Sequence, residues 1–367
     1  MVKLDVNLMR FLTIDDFIVL TAVEKAMENH ALHALVPIGE VASIARLRHW
    51  RTGKIIGDLQ KHKLLSFERG TRPEGLSLNV SGYDYLALNS LRKRDSVDAF
   101  GNQISVGKES NIYIVSAGEQ ERCLKLHRRG LLSFKRGVNK PNHHKRRRSA
   151  SWLNLSARLA IKEFACMKVL HDRQFPVPQP YDLSRHCVVM ELIKGTLLHR
   201  VQELDNVKAL YDKLMNNIMK FALYGVVHGD FNEFNIFITH DERPVIMDFS
   251  HMVFTHHANA KMFFERDVNC VINFFKKRFG FESETFPQFS DVVRLDTIDM
   301  EAERIGLKED LAELIKAVRQ QLWNESNNCD DGTAGELNEE PLEHVHVELD
   351  EDFDGGFFED SFAEEVN

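Results

Sequence analysis

Residues 226–238, VVHGDFNEFNIFI, set a condition that any fold of this chain must meet. Val226, Val227, Phe231, Phe234, Ile236, Phe237 and Ile238 favour burial, and Asp230 and Asn235 stand among them. An ionised carboxylate in such surroundings is costly unless something pairs with it. A metal ion or an incoming hydroxyl would serve, and so would local hydrogen bonds in a buried turn. The stretch alone leaves both readings open.

At 367 residues the chain has room for two or three domains and a sizeable core. Charge is unevenly spread. From Asn324 onward there are 16 Asp or Glu and no Lys or Arg, so residues 1–323 hold all 47 Lys/Arg against the remaining 39 acids, a net of +8 beneath an overall −8. A basic body points to a polyanionic partner, and the acidic tail (324–367) reads as disordered. Cys123, Cys166, Cys187, Cys270 and Cys329 form no CxxC pair and no metal-ligand spacing, which fits reduced thiols in an intracellular protein. No uncharged apolar run approaches the roughly 18 residues of a membrane span. The N-terminus lacks a secretory apolar region, so a soluble, cytoplasmic or nuclear protein is expected.

Along the first 94 residues, helical spacing is read over 15–28, 41–50, 53–65 and 81–94, with two alternating runs, 64–69 and 75–80, joined by GTRPE. Three helices and a hairpin predict a winged helix. Lys54, Lys61, His62 and Lys63, with Arg69 and Arg72 in the wing, suit nucleic-acid contact; a protein-docking or structural role for a solvated basic face is the competing reading.

From Phe100 the pattern becomes strand, turn, strand, turn, strand. The loop VGKES (Val106, Gly107, Lys108, Glu109, Ser110) lacks both GxGxxG and GxxxxGK[ST], yet its backbone N–H groups could approach phosphates. In CLKLH, Lys125 sits between Leu124 and Leu126, where an exposed strand face would be its ordinary place. The helix over 151–173 changes that reading: Trp152, Leu155, Leu159, Cys166 and Leu170 make an apolar stripe, and Glu163 falls on it. A carboxylate on a buried face needs a cation, and Lys125 is the obvious one. Strand lysine to helix glutamate is the pair that positions the α- and β-phosphates of ATP in protein kinases. HCVVMELIKG (186–195) reads as a buried strand entering an interlobe hinge, with Met190, Glu191 and Ile193 placed to pair with an adenine edge.

Asp230 and Asn235 stand at the D-x₄-N spacing of a kinase catalytic loop. After them IFI (236–238) and PVIM (244–247) form a hairpin that delivers Asp248. Asn235 and Asp248 supply hard oxygens suited to Mg²⁺, and Asp230 would orient or deprotonate the nucleophile. Lys125, Glu163, hinge, Asp230, Asn235 and Asp248 follow one another in kinase order. The departures are informative: no APE follows Asp248, and ten Lys/Arg with no acid lie between Lys125 and Arg148, including KRRR at 145–148. That insertion, about 128–150, reads as a flexible loop whose charge suits RNA phosphates.

GKESNIYIV, LKLHRRG, SWLNLSARLAIKEFACMKVL, FPVPQPYD, VVMELI, HGDFNEFN and FFERDV together resemble the RIO family of atypical protein kinases, and its second, winged-helix subfamily most closely, over about residues 1–300. The resemblance implies an α+β fold, with a winged helix (1–94), a kinase N-lobe (95–193), a C-lobe (194–323) and the acidic tail. It implies ATP and Mg²⁺ as cofactors, serine/threonine kinase and ATPase activity with Asp248 as a transient aspartyl-phosphate, and action in small ribosomal subunit maturation. The partners implied are the pre-small-subunit particle, its ribosomal RNA and assembly factors. A monomer that is cytoplasmic and shuttles through the nucleus is expected. Asn111 stands where the family has aspartate, and Ser250 and Ala258 where it has proline. Rival readings are a small-molecule kinase of the aminoglycoside or choline type, a catalytically silent RNA-binding scaffold, and a winged-helix transcription factor.

Overall fold

A computed structural model describes residues 4, 6–29, 35–68, 74–107, 109–129 and 143–293, with 295, 298, 300, 301 and 305 beyond them. All belong to one compact unit, Met1–Glu313. The acidic tail, Cys329, the wing residues Arg69 and Arg72, and Lys108 lie outside the described residues.

The chain opens with α1 (Ile14–Asn29), α2 (Ile38–Ala45), α3 (His49–Lys61), β1 (Leu65–Glu68), β2 (Gly75–Leu78) and α4 (Val80–Lys93). β1 and β2 pair antiparallel, completing the winged helix. The helix expected over 41–50 is two helices. Arg46 adopts a left-handed conformation (φ 52°) and turns its N–H back to Ala42 and Ser43, so α2 stops at Ala45 and His49 and Trp50 begin α3.

The N-lobe follows with β3 (Ala99–Val106), β4 (Ser110–Ala117), β5 (Gln120–His127), α5 (His143–Asp172), β6 (Pro180–Ser184) and β7 (Cys187–Glu191). These strands form one antiparallel sheet in the order β3-β4-β5-β7-β6, which puts the strand of Lys125 at its centre. Central position explains why Cys123 to His127 are all buried. On one face Tyr113, Val115, Leu124, Leu126, Cys187 and Val189 share a single core with Leu88 and Leu91 of the winged helix.

A flexible loop over 128–150 is not what the described ends of that segment show. The strand ends at His127 with Arg128 and Arg129 just beyond it, and residues 143–150 are the first turns of α5; 130–142 lie outside the described residues. The buried stripe of α5 departs from expectation at its N-terminal half. Trp152, Cys166, Leu170 and Glu163 are buried as expected, whereas Leu155 is 41% exposed and Leu159 half-buried; Ser156, Ala160 and Met167 complete the buried side.

The C-lobe contains β8 (Gly195–Leu197), α6 (Val207–Leu223), β9 (Val226–Val227), β10 (Ile236–Thr239), β11 (Pro244–Ile246), β12 (Val253–Phe254) and α7 (Ala260–Phe279). β10 pairs with β11 in the expected hairpin, in register Ile236↔Ile246, and β8 closes its other side. Among the described residues no helix is long and apolar enough to cross a membrane.

Candidate active site

Lys125 organises the site. Its Nζ lies 2.7 Å from Glu163 Oε1 and 3.0 Å from Asp248 Oδ1, so one ammonium joins the N-lobe sheet, the N-lobe helix and the loop after β11. The pair expected from the α5 stripe is present, and Asp248 shares its cation. Burial works against each of these charges, but their mutual attraction outweighs it: the carboxyls of Glu163 and Asp248 are held below the ordinary range and the Lys125 ammonium above its own. His127, two residues on and on the same face of β5, brings Nε2 to 2.7 Å from Glu163 Oε2, a close contact without hydrogen-bond alignment.

Asp248 takes φ 64°, a left-handed conformation unusual for a residue with a Cβ. Ser250 compensates locally: its hydroxyl donates to Asp248 Oδ1 at 2.7 Å. Oδ1 therefore receives both Lys125 and Ser250, and the side chain as a whole is half-buried.

The catalytic-loop candidates are held as firmly. Asp230 Oδ2 accepts from Asn235 Nδ2 at 2.7 Å and Oδ1 from Asn232 Nδ2 at 2.9 Å. Asn235 spends its amide N–H groups on Asp230, so its Oδ1 is the atom open to a cation. Beneath the loop, Asp267 of α7 accepts N–H bonds from Gly229 (2.8 Å) and Phe231 (3.0 Å), bracketing Asp230 from below. Burial pushes Asp267 up to about 7 in spite of those bonds. His228, drawn down to about 4 by burial, stays neutral; its Nε2 donates to the Met247 carbonyl and its Nδ1 accepts the Asp230 N–H. Gly229 permits the close passage of the two loops: a Cβ there would meet His251 O at 2.6 Å, at φ 76°.

Other expected residues fall around this centre. Gly107 N–H bonds Ser110 O at 2.8 Å, closing the β3–β4 turn; Val106 at its edge is exposed. Glu109 reaches across to the loop after β11, 3.5 Å from His251 Nε2. Met190 is buried opposite Cys123, on the Lys125 face; Glu191 is exposed, with its N–H on Gln179 O; Ile193 is half-buried beyond it. Asn111 pairs with Leu126 and so lies on the winged-helix face of the sheet, away from Lys125, with Oδ1 buried and without a hydrogen-bond partner. Phe234 does not bury with its neighbours and is 60% exposed.

Sequence reading missed Asp267, His127, Asn232 and the part played by Ser250. Asp267 carried a signal like that of Glu163, an acid on the apolar stripe Phe263, Phe264, Val268, Val271 and Phe275. The others had none, because their partners come from other segments or from loop geometry.

Asn235 Oδ1 and Asp248 Oδ2 take no part in the bonds described above, and two hard oxygens of this kind fit Mg²⁺ completed by phosphate and water. Among the described residues no group of three or more His, Cys, Asp or Glu is placed to hold a metal unaided.

A winged helix leading into a five-stranded N-lobe and a helical C-lobe, with a lysine–glutamate pair and a D-x₄-N loop between the lobes, defines a protein-kinase fold with an N-terminal winged helix. Residues 9–94 match the family model for the Rio2 N-terminal domain and residues 111–289 that for the RIO domain. The chain is 45% identical over 311 residues to serine/threonine-protein kinase RIO2 of Caenorhabditis elegans, covering 84% of this chain and 58% of that one. It is 40% identical over 327 residues to rio2 of Schizosaccharomyces pombe, covering 88% and 93%. A crystal structure of the Rio2 kinase–ADP/Mg²⁺–phosphoaspartate complex from Chaetomium thermophilum superposes with a TM-score of 0.74 at 37% identity, covering 88% of this chain and all of that one. The chain belongs to the Rio2 family of RIO kinases. It spans 58% and 59% of the length of the C. elegans and Dictyostelium discoideum relatives.

Proposed function

We propose that this chain is an ATP- and Mg²⁺-dependent atypical serine/threonine kinase and ATPase that acts on pre-small-subunit ribosomal particles late in their maturation. The observation that carries the catalytic part is Lys125 bridging Glu163 and Asp248 opposite the Asp230–Asn235 pair. A polyphosphate entering the cleft meets the Lys125 ammonium. Mg²⁺ at Asn235 Oδ1 and Asp248 Oδ2 supplies charge neutralisation for the transferred phosphoryl group. Asp230, oriented by Asn232 and Asn235, accepts the proton of a hydroxyl or water nucleophile. In the absence of another acceptor, an Asp248 oxygen attacks the γ-phosphorus, ADP leaves, and an aspartyl-phosphate forms that water then cleaves. The phosphoaspartate in the Chaetomium relative supports this route.

The basic body and the winged helix favour a ribosomal RNA-containing particle with its assembly factors as partner, and cytoplasmic residence with passage through the nucleus follows from that partner. Arg46, Arg48, Lys54 and Lys61 are exposed in the winged helix. Labelled ATP with Mg²⁺ tests the chemistry: base-labile, hydroxylamine-sensitive label on the chain is expected, lost in Asp248→Ala. Asp230→Ala lowers turnover by roughly 10²–10⁴ with ATP still bound. Unchanged turnover in both variants would rule the assignment out.

A further inference from the structure

We propose that Phe234 is the apolar anchor for a protein phosphoacceptor, so that the site takes a polypeptide segment with a large apolar side chain close to its acceptor hydroxyl. The proposal rests on the kinase reading above and names the acceptor class for that site.

Phe234 is the fourth residue after Asp230 and the one before Asn235, between the two groups that an acceptor must approach. Phe231, Ile236 and Ile238 of the same stretch are buried, whereas Phe234 is 60% exposed. Single exposed apolar side chains are ordinary, but this one is built in. Its ring lies on the His199 imidazole, centroids 4.9 Å apart and tilted by 37°. That shelf is itself tied down: the His199 N–H donates to Glu233 O at 3.1 Å, and the His199 carbonyl accepts from Arg278 of α7. The Phe234 N–H donates to Asn232 Oδ1 at 3.0 Å, and the same Asn232 amide donates to Asp230 Oδ1. One side chain thus couples the placement of the exposed ring to the orientation of the catalytic carboxylate.

A ring that already rests on a neighbouring imidazole loses less entropy when a partner covers it than one free in solvent. Water or a small polar acceptor gains nothing from such a ring. A polypeptide gains both apolar contact and alignment of its hydroxyl against Asp230.

The full chain is assayed with 11-residue synthetic peptides, each with one central serine in an Ala/Gly background and leucine scanned through the flanking positions. Leucine at one position is expected to raise kcat/KM about tenfold over alanine there, the worth of a modest apolar contact. The readout is that leucine-to-alanine ratio within each variant, so a general loss of turnover cancels. The ratio falls to near one in Phe234→Ala and largely survives in Phe234→Leu. In Phe234→Arg the preference passes from leucine to glutamate peptides, which a structural role would not produce. A wild type with no leucine preference, or a preference intact in Phe234→Ala, overturns the proposal. If no peptide is phosphorylated while ATP is turned over, water is the acceptor and the proposal fails with the ATPase reading standing. If Asp230→Ala turns over ATP at the wild-type rate, the underlying reading fails instead.

Discussion

At Lys125, a single ammonium 2.7 Å from one carboxylate and 3.0 Å from another keeps two acids ionised inside the protein. Removing it leaves Glu163 buried without its cation and takes from the half-buried Asp248 one of the two donors on its Oδ1. Lys125→Ala is therefore expected to cost about 3–5 kcal/mol, the usual penalty for breaking a buried pair. Adding Glu163→Gln should return part of that loss, because one uncompensated charge is gone. Denaturant titration checks both; a single variant as stable as the wild type would mean the cluster does not hold the fold. The Lys125–Glu163 half of this arrangement was legible in the sequence, since a carboxylate on a buried stripe demands a cation. The Asp248 half was legible only as a role, because the distance depends on where the β10–β11 hairpin ends. Ser250 reads in sequence as the loss of a rigid residue, and in the structure its hydroxyl restrains Asp248 by another means.

Among the elements, α7 holds the Asp230–Asn235 loop in place through Asp267. Its carboxyl titrates near 7 in the folded protein and near 3.9 when unfolded. Between about pH 4 and 7 the folded state holds a proton that the unfolded chain has released. Unfolding free energy should therefore fall as pH rises through that window, by up to ~1.4 kcal/mol per unit, and level off above it. In Asp267→Asn, which cannot titrate, that component disappears. Melting temperatures from pH 4.5 to 8 measure the difference, and parallel profiles for the two proteins would count against a raised Asp267. Element types were readable because apolar periodicity is local. Boundaries were less so: the stop at Ala45 depends on a left-handed arginine, and the start of α5 at His143 runs through a cationic segment with no apolar stripe to mark it.

In the whole molecule, the winged helix and the N-lobe share a core and an ionic joint. Asp84 of α4, fully buried, accepts a bidentate pair from Arg128 (2.6 and 2.7 Å) and a bond from His186 Nε2 at 2.8 Å. Glu24 pairs with Arg185, and Asp182 with Arg94, around the same joint. Asp84→Ala should cost about 3–5 kcal/mol by stranding Arg128, and a chain lacking residues 1–94 should be poorly soluble, its N-lobe face uncovered. A truncated chain that remains soluble and melts as the full chain does would contradict this. Sequence divides the two as separate domains, because a contact between residues 44 and 102 positions apart leaves no local pattern.

That separation also sets a schedule. A ribosome adding ~5–20 residues per second makes Asp84 about 5–20 s before His186. Throughout that interval α4 lacks its buried partners, so the winged helix, made before the N-lobe, is finished only after it, and the nascent chain waits for a later segment before an earlier one can close.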